Sequence, residues 1–102
     1  MKLVRVTKPT GFFRVVAGTR RSQAATMVLR PGQSTGGTDN VHQGADQWLY
    51  VISGAGHAVV GGQEVPLDPG ALLLIEAGET HEIRNTGDEQ LVTINLYFPP
   101  VY

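Results

Sequence analysis

Nowhere in this chain do apolar residues recur at the three-and-four spacing that lets a helix bury one face. They come instead in short alternating or unbroken runs, each closed by Gly, Pro, Asn or Asp. The runs are Leu3–Val6, Phe12–Val16, Ala24–Arg30, Gln47–Ile52, His57–Val60, Glu64–Leu67, Ala71–Ile75, His81–Asn85 and Leu91–Phe98, with a further short one through Asn40–His42. Between them stand Pro31-Gly32, Gly36-Gly37, Gly54, Gly61-Gly62, Pro69-Gly70, Ala77-Gly78 and Thr86-Gly87-Asp88, which supply positive φ or a pre-set turn. Many short strands joined in this way close into a sandwich or barrel, so an all-β domain is expected. A chain of 102 residues has room for one core. Residues 1–102 are therefore read as one domain, with N-terminal strands within 1–22 and a barrel over 23–98.

Charge is unevenly placed. Residues 1–30 hold seven Lys or Arg and no acid, whereas the remainder holds Arg84 against nine acids, for a net charge of −1. The cations are spread singly among strand-like residues with few aromatics to stack on bases, so no nucleic-acid partner is expected. The longest apolar run, Ala71 to Ile75, is far shorter than the roughly 18 residues of a membrane helix, and no membrane partner is expected. Lys2, Arg5, Lys8, Arg14 and Arg20 interrupt the first twenty residues, which argues against a secretory leader and for a cytoplasmic location. The absence of cysteine removes disulfides, thiolate metal sites and thiol nucleophiles.

Imidazole chemistry is confined to His42, His57 and His81. Asn40 and His42 share a face if extended, and the turn Gln43-Gly44-Ala45-Asp46 returns the chain through Gln47, so that Asn40, His42 and Gln47 converge. Alternation through His81, Glu82, Ile83 and Arg84 aims His81 and Ile83 inward and both charges toward water. His57 is expected on an exposed strand position. In the last run Thr93, Asn95 and Tyr97 share one face and Val92, Ile94, Leu96 and Phe98 the other. The first set is expected either to line a polar pocket or to face solvent or a neighbouring strand. Met27, Leu29, Leu49, Val51, Leu73 and Ile83 would supply its apolar wall. Trp48, Tyr50 and Ile52 would then point outward and need a cover. The basic N-terminal strands, with Phe12, Phe13 and Val15, suit that purpose within one subunit or by exchange in a homodimer.

Two stretches resemble the paired motifs of the cupin family. The first is Gly32, then Asn40-x-His42, four residues, Gln47, six residues and Gly54; the second is Gly70, five residues, Glu76-x-Gly78, two residues, His81, three residues and Asn85. The resemblance implies a double-stranded β-helix, or jelly-roll barrel, with a divalent metal ion inside: Fe, Mn, Ni, Cu or Zn. Carried over by position, His42 and His81 match metal-binding histidines, Gln47 stands where the family has glutamate, and Asn40 where it has another histidine. Glu76 replaces a proline. An amide oxygen is a weaker, neutral donor, so the ion should be held less tightly and polarise a ligand more strongly. The implied function is metal-dependent action on a small polar molecule, a sugar derivative or oxygenated organic acid, with a pocket lined by Met27, Leu49, Thr93, Asn95 and Tyr97. Glu76, Glu79 or Tyr97 would assist proton transfer. The alternative is a metal-free binding module that holds its ligand by hydrogen bonds alone.

Overall fold

The computed structural model describes residues 1–36, 42 and 44–102. Asn40 lies outside the described residues, as does most of the short run expected over Asn40–His42; His42 itself is not in a strand. Eight strands form among the described residues: β1 (Phe13–Gly18), β2 (Gln23–Leu29), β3 (Asp46–Ser53), β4 (Gly56–Val60), β5 (Gln63–Leu67), β6 (Leu72–Ile75), β7 (His81–Arg84) and β8 (Leu91–Phe98). They build two antiparallel sheets, one in the order β1-β2-β8-β3-β6 and one in the order β5-β4-β7. None of these elements is a helix long and apolar enough to cross a membrane.

Alternation along the strands fills the space between the sheets. Met27, Leu29, Leu49, Val51, Ala58, Leu67, Ile75, Ile83 and Leu91 form one buried cluster, with Leu73 packed partly against it. Burial stabilises the fold by about 1.5–3 kcal/mol for each large side chain. The chain passes from β3 into β4 through Gly54 and Gly56. At either position a Cβ would collide with backbone, the Gln90 carbonyl at Gly54 and the Arg84 carbonyl at Gly56, and Gly54 also has φ +85°. Only glycine lets the chain change sheets so close to its neighbours.

Three expectations need correction. Leu3–Val6 forms no strand. Residues 4–10 lie instead beside Arg14, Val15, Val16 and Thr26 around a cavity of about 270 Å³. They leave Trp48, Tyr50 and Ile52 exposed by 37%, 44% and 38%, so within the one chain this segment lies against β1 and Thr26 of β2 rather than over β3. Glu82 does not face water: it is 5% exposed, and Arg84 binds its Oε1 through Nε at 2.9 Å and Nη2 at 2.8 Å. A guanidinium folded over a carboxylate satisfies the charge that alternation alone would have sent outward.

Candidate metal centre

β8 decides the polarity of the barrel interior. Thr93, Asn95 and Tyr97 are buried, while the apolar alternates Leu96 and Phe98 are exposed. The register sets Tyr97 opposite Gln23 of β2 and Gln47 of β3, with Asn95 opposite Ala25 and Leu49 in the next row. Buried polar groups are costly unless they are bonded, and here they are bonded in series. Thr93 Oγ1 donates to the Met27 carbonyl at 3.3 Å, Asn95 Nδ2 donates to Thr93 Oγ1 at 3.0 Å, and Gln47 Nε2 donates to Asn95 Oδ1 at 2.9 Å.

The direction of this relay is fixed at its far end. A carbonyl oxygen only accepts, so the Thr93 hydroxyl proton points at Met27, its oxygen accepts from Asn95, and Asn95 Oδ1 accepts from Gln47. The Gln47 amide is thereby oriented with its nitrogen in the relay and its oxygen left over. Gln47 is 4% exposed, and its Oε1 is buried without a hydrogen-bond partner. A buried acceptor without a donor costs about 1–3 kcal/mol.

That oxygen lies on the wall of a cavity of about 290 Å³ together with His42, His81, Met27, Tyr97 and Thr35. The histidines are 39 residues apart in sequence and come together because their loops are tied: Gly78 N donates to the His42 carbonyl at 3.0 Å, and Ala77 N donates to Asp46 Oδ1 at 2.9 Å. Their ring centroids stand 4.9 Å apart. His81 Nδ1 donates to the Glu79 carbonyl at 3.3 Å, which places the proton on Nδ1 and leaves the Nε2 lone pair free. Burial lowers the pKa of both rings. Repulsion from His81 adds to the effect at His42, where the Gln47 side chain acts in the opposite sense. At His81 the Glu79 carbonyl and carboxylate oppose it. Both imidazoles are thus favoured in the neutral, lone-pair-bearing form. Burial pushes the phenols of Tyr97 and Tyr102 upward, so both stay protonated.

Two neutral imidazoles and an unpartnered carboxamide oxygen facing one cavity make a donor set that fits a divalent cation. Among the described residues no three His, Cys, Asp or Glu come together; the polar group beside the two imidazoles is the neutral amide of Gln47. Of the pocket residues expected from sequence, Met27 and Tyr97 line the cavity. Leu49, Thr93 and Asn95 are fully buried beneath it, the last two as links of the relay that orients Gln47. Glu76 and Glu79 are not on its wall; Glu79 Oε1 instead accepts from Glu76 N at 2.8 Å. His57, on the far sheet, bonds Thr86 Oγ1 at 2.9 Å. The aromatic rim of the cavity, with Phe13 and Tyr102, was not foreseen. Phe13 reads as a cover for the outer face, and nothing in the local spacing ties Tyr102 to the histidines.

The Cupin_2 model, described as a cupin domain, matches residues 25–97. The chain belongs to the cupin family. It is 36% identical over 67 residues to the oxalate-binding protein of Thermotoga maritima, a match covering 66% of this chain and 54% of that protein. It is 37% identical over 60 residues to the tetracenomycin polyketide synthase protein TcmJ of Streptomyces glaucescens, covering 59% of this chain and 39% of that one. The chain thus spans about half or less of these relatives' length. In structure this cupin is similar to a Bacillus halodurans protein, with a TM-score of 0.84 and 28% identity over 89% of this chain and 72% of the other.

Proposed function

We propose that this cupin is a metal-dependent protein acting on a small oxygen-bearing organic molecule, with His42, His81 and Gln47 Oε1 as the protein donors and Asn40 as a candidate fourth. The observation that carries the reading is the Gln47 oxygen: a relay of three hydrogen bonds holds a buried acceptor unpartnered beside two imidazoles, a cost that a bound cation would repay. An ion held there would act as a Lewis acid toward a ligand oxygen, sharpened by the lack of a protein carboxylate. The chain's own part is to hold both rings neutral, to fix the His81 tautomer through Glu79, and to exclude water with Met27, Ile83 and Tyr97.

Elemental analysis of protein purified without added metal, and again after incubation with Fe, Mn, Ni, Cu or Zn, tests the reading. About one ion per chain is expected in the wild type, with loss in His42→Ala and in His81→Ala. Absence of bound ion under every condition would replace it with the metal-free reading, in which the same donors bind a ligand by hydrogen bonds. The proposed homodimer has a surface on which to form. Trp48 and Tyr50 of β3 pair in register with Leu74 and Leu72 of β6 and with Leu96 and Ile94 of β8, a contiguous apolar face of the kind that marks an interaction site. Light scattering at micromolar concentration reports the mass.

A further inference from the structure

The floor of the cavity is polar, but the walls above it are aromatic. Phe13, Tyr97 and Tyr102 line it, Tyr97 meeting Tyr102 and Phe13 edge to face at ring-centroid distances of 5.2 Å and 6.4 Å and Phe13 tilted against Tyr102 at 4.6 Å. The His42 ring meets Tyr97 at 5.4 Å and Tyr102 at 5.7 Å, so the aromatic wall begins where the nitrogen donors end. Tyr102 is held there through its backbone. The buried Gln23 side chain donates from Nε2 to the Tyr102 carbonyl at 2.7 Å, and its Oε1 accepts from Val101 N at 3.3 Å and Tyr102 N at 3.1 Å. A buried carboxamide with both ends engaged makes a rigid clamp.

Charge is missing from the same walls. The chain has eight Lys and Arg residues, and none of them lines the cavity. Arg5, Lys8 and Arg14 lie around a separate one, Arg84 is bonded to Glu82, and residues 37–41 and 43 contain no cation by sequence. A ligand can therefore find positive charge only at the metal floor. A phosphate or second carboxylate at its far end would meet aromatic rings with no counter-charge, and burying it there would be costly.

We infer that the site takes a small molecule with its oxygen donors at one end and a flat apolar ring at the other, the donors on the His42–His81–Gln47 floor and the ring against Phe13, Tyr97 and Tyr102. This deepens the metal reading and rests on it for the floor. The volume of about 290 Å³ lies at the small end of ligand pockets and suits one ring rather than several. Gln23 is a positioning residue that acts through Tyr102.

Three probes with a common 2-hydroxycarboxylate head test it: lactate with a methyl group, mandelate with a phenyl group and 3-phosphoglycerate with a phosphate. Calorimetric titration into Zn²⁺-loaded and into metal-free protein should rank mandelate above lactate by roughly tenfold, the scale of a ring buried among aromatic partners, and 3-phosphoglycerate last. Tyr102→Ala and Gln23→Ala should both bring the mandelate-to-lactate ratio to within about twofold of unity while leaving zinc content unchanged. Zinc uptake with lactate and mandelate bound alike, or with 3-phosphoglycerate bound best, overturns this inference and spares the metal reading. Failure to take up zinc with the phenyl preference kept in metal-free protein strikes the metal reading alone. Binding of none of the three in either form overturns the inference, as does a Tyr102→Ala variant that keeps the full preference.

Discussion

Asn85 and Gln47 are both buried carboxamides, 2% and 4% exposed, at opposite ends of the barrel. Asn85 Nδ2 donates to the Leu29 carbonyl at 2.8 Å and the Glu89 carbonyl at 2.7 Å, while its Oδ1 accepts from Gly87 N at 2.9 Å. Both its nitrogen and its oxygen are used: one bond reaches the end of β2 at Leu29, and the other two close the turn over Gly87 and Glu89. Gln47 commits its nitrogen to Asn95, and its oxygen, without a well-formed hydrogen bond, is left facing the cavity beside the His42 ring. The first is a staple that closes one end of the fold. The second is held at a cost by neighbours that orient it, as expected where a fold keeps a group ready for something outside the chain.

The contrast is sharpened most by removing the staple. Asn85→Ala deletes three side-chain hydrogen bonds, so stability should fall by about 3 kcal/mol. Urea denaturation measures this as a lower midpoint at unchanged slope, and metal uptake per folded chain should not change. Gln47→Leu should do the reverse. Loss of the Asn95 bond is offset by removal of the orphan oxygen, so stability moves by no more than about 1 kcal/mol, while metal uptake falls sharply. A Gln47→Leu variant that binds the ion like the wild type would leave the two carboxamides without the difference in role argued for them.

Gln47→Glu supplies the charge that the donor set lacks. Metal affinity should rise roughly tenfold or more, about 1.4 kcal/mol, read by competition with a chelator of known affinity; a weaker or equal affinity would show that charge is not what limits binding. The smallest effect expected is on pH dependence. The folded metal-free protein holds both His42 and His81 with pKa below the ordinary 6.5, so below that value the unfolded chain takes up protons that the folded one resists. Stability is at its plateau above pH 6.5, declines as pH drops below it, and levels off under the folded-state values. A His42→Gln/His81→Gln double variant should lose less stability between pH 7 and 5 than the wild type. An unchanged loss would place the sensitivity elsewhere.

Much of the fold could be read along the chain, because β-strands declare themselves through alternation and glycine turns: all eight strands fall within two residues of the runs that predict them. The exception is Leu3–Val6, which alternates like a strand yet pairs with none. Alternation gives an amphipathic face but not a partner, and pairing is a non-local event. The approach of Gln47 to His42 could be anticipated from the turn between them and the inward aim of His81 from alternation, whereas the meeting of all three was implied only by the resemblance to the cupin motifs. The roles of Thr93 and Asn95 could not, since a polar face reads the same whether it lines a pocket or supports one from beneath.

The linear order of residues determined the strands, the absence of thiol chemistry, the restriction of imidazole chemistry to three positions and the neutral side chain at Gln47. The tertiary structure alone decided which way that amide turns, because its orientation is inherited from the Met27 carbonyl through two other side chains on β8. It alone decided that Tyr102 stands over His42, because the contact is made by Gln23, 79 residues away in sequence. Local sequence fixes backbone preference within a few residues, whereas hydrogen-bond direction and cavity walls are set by groups brought together only when the sheets close.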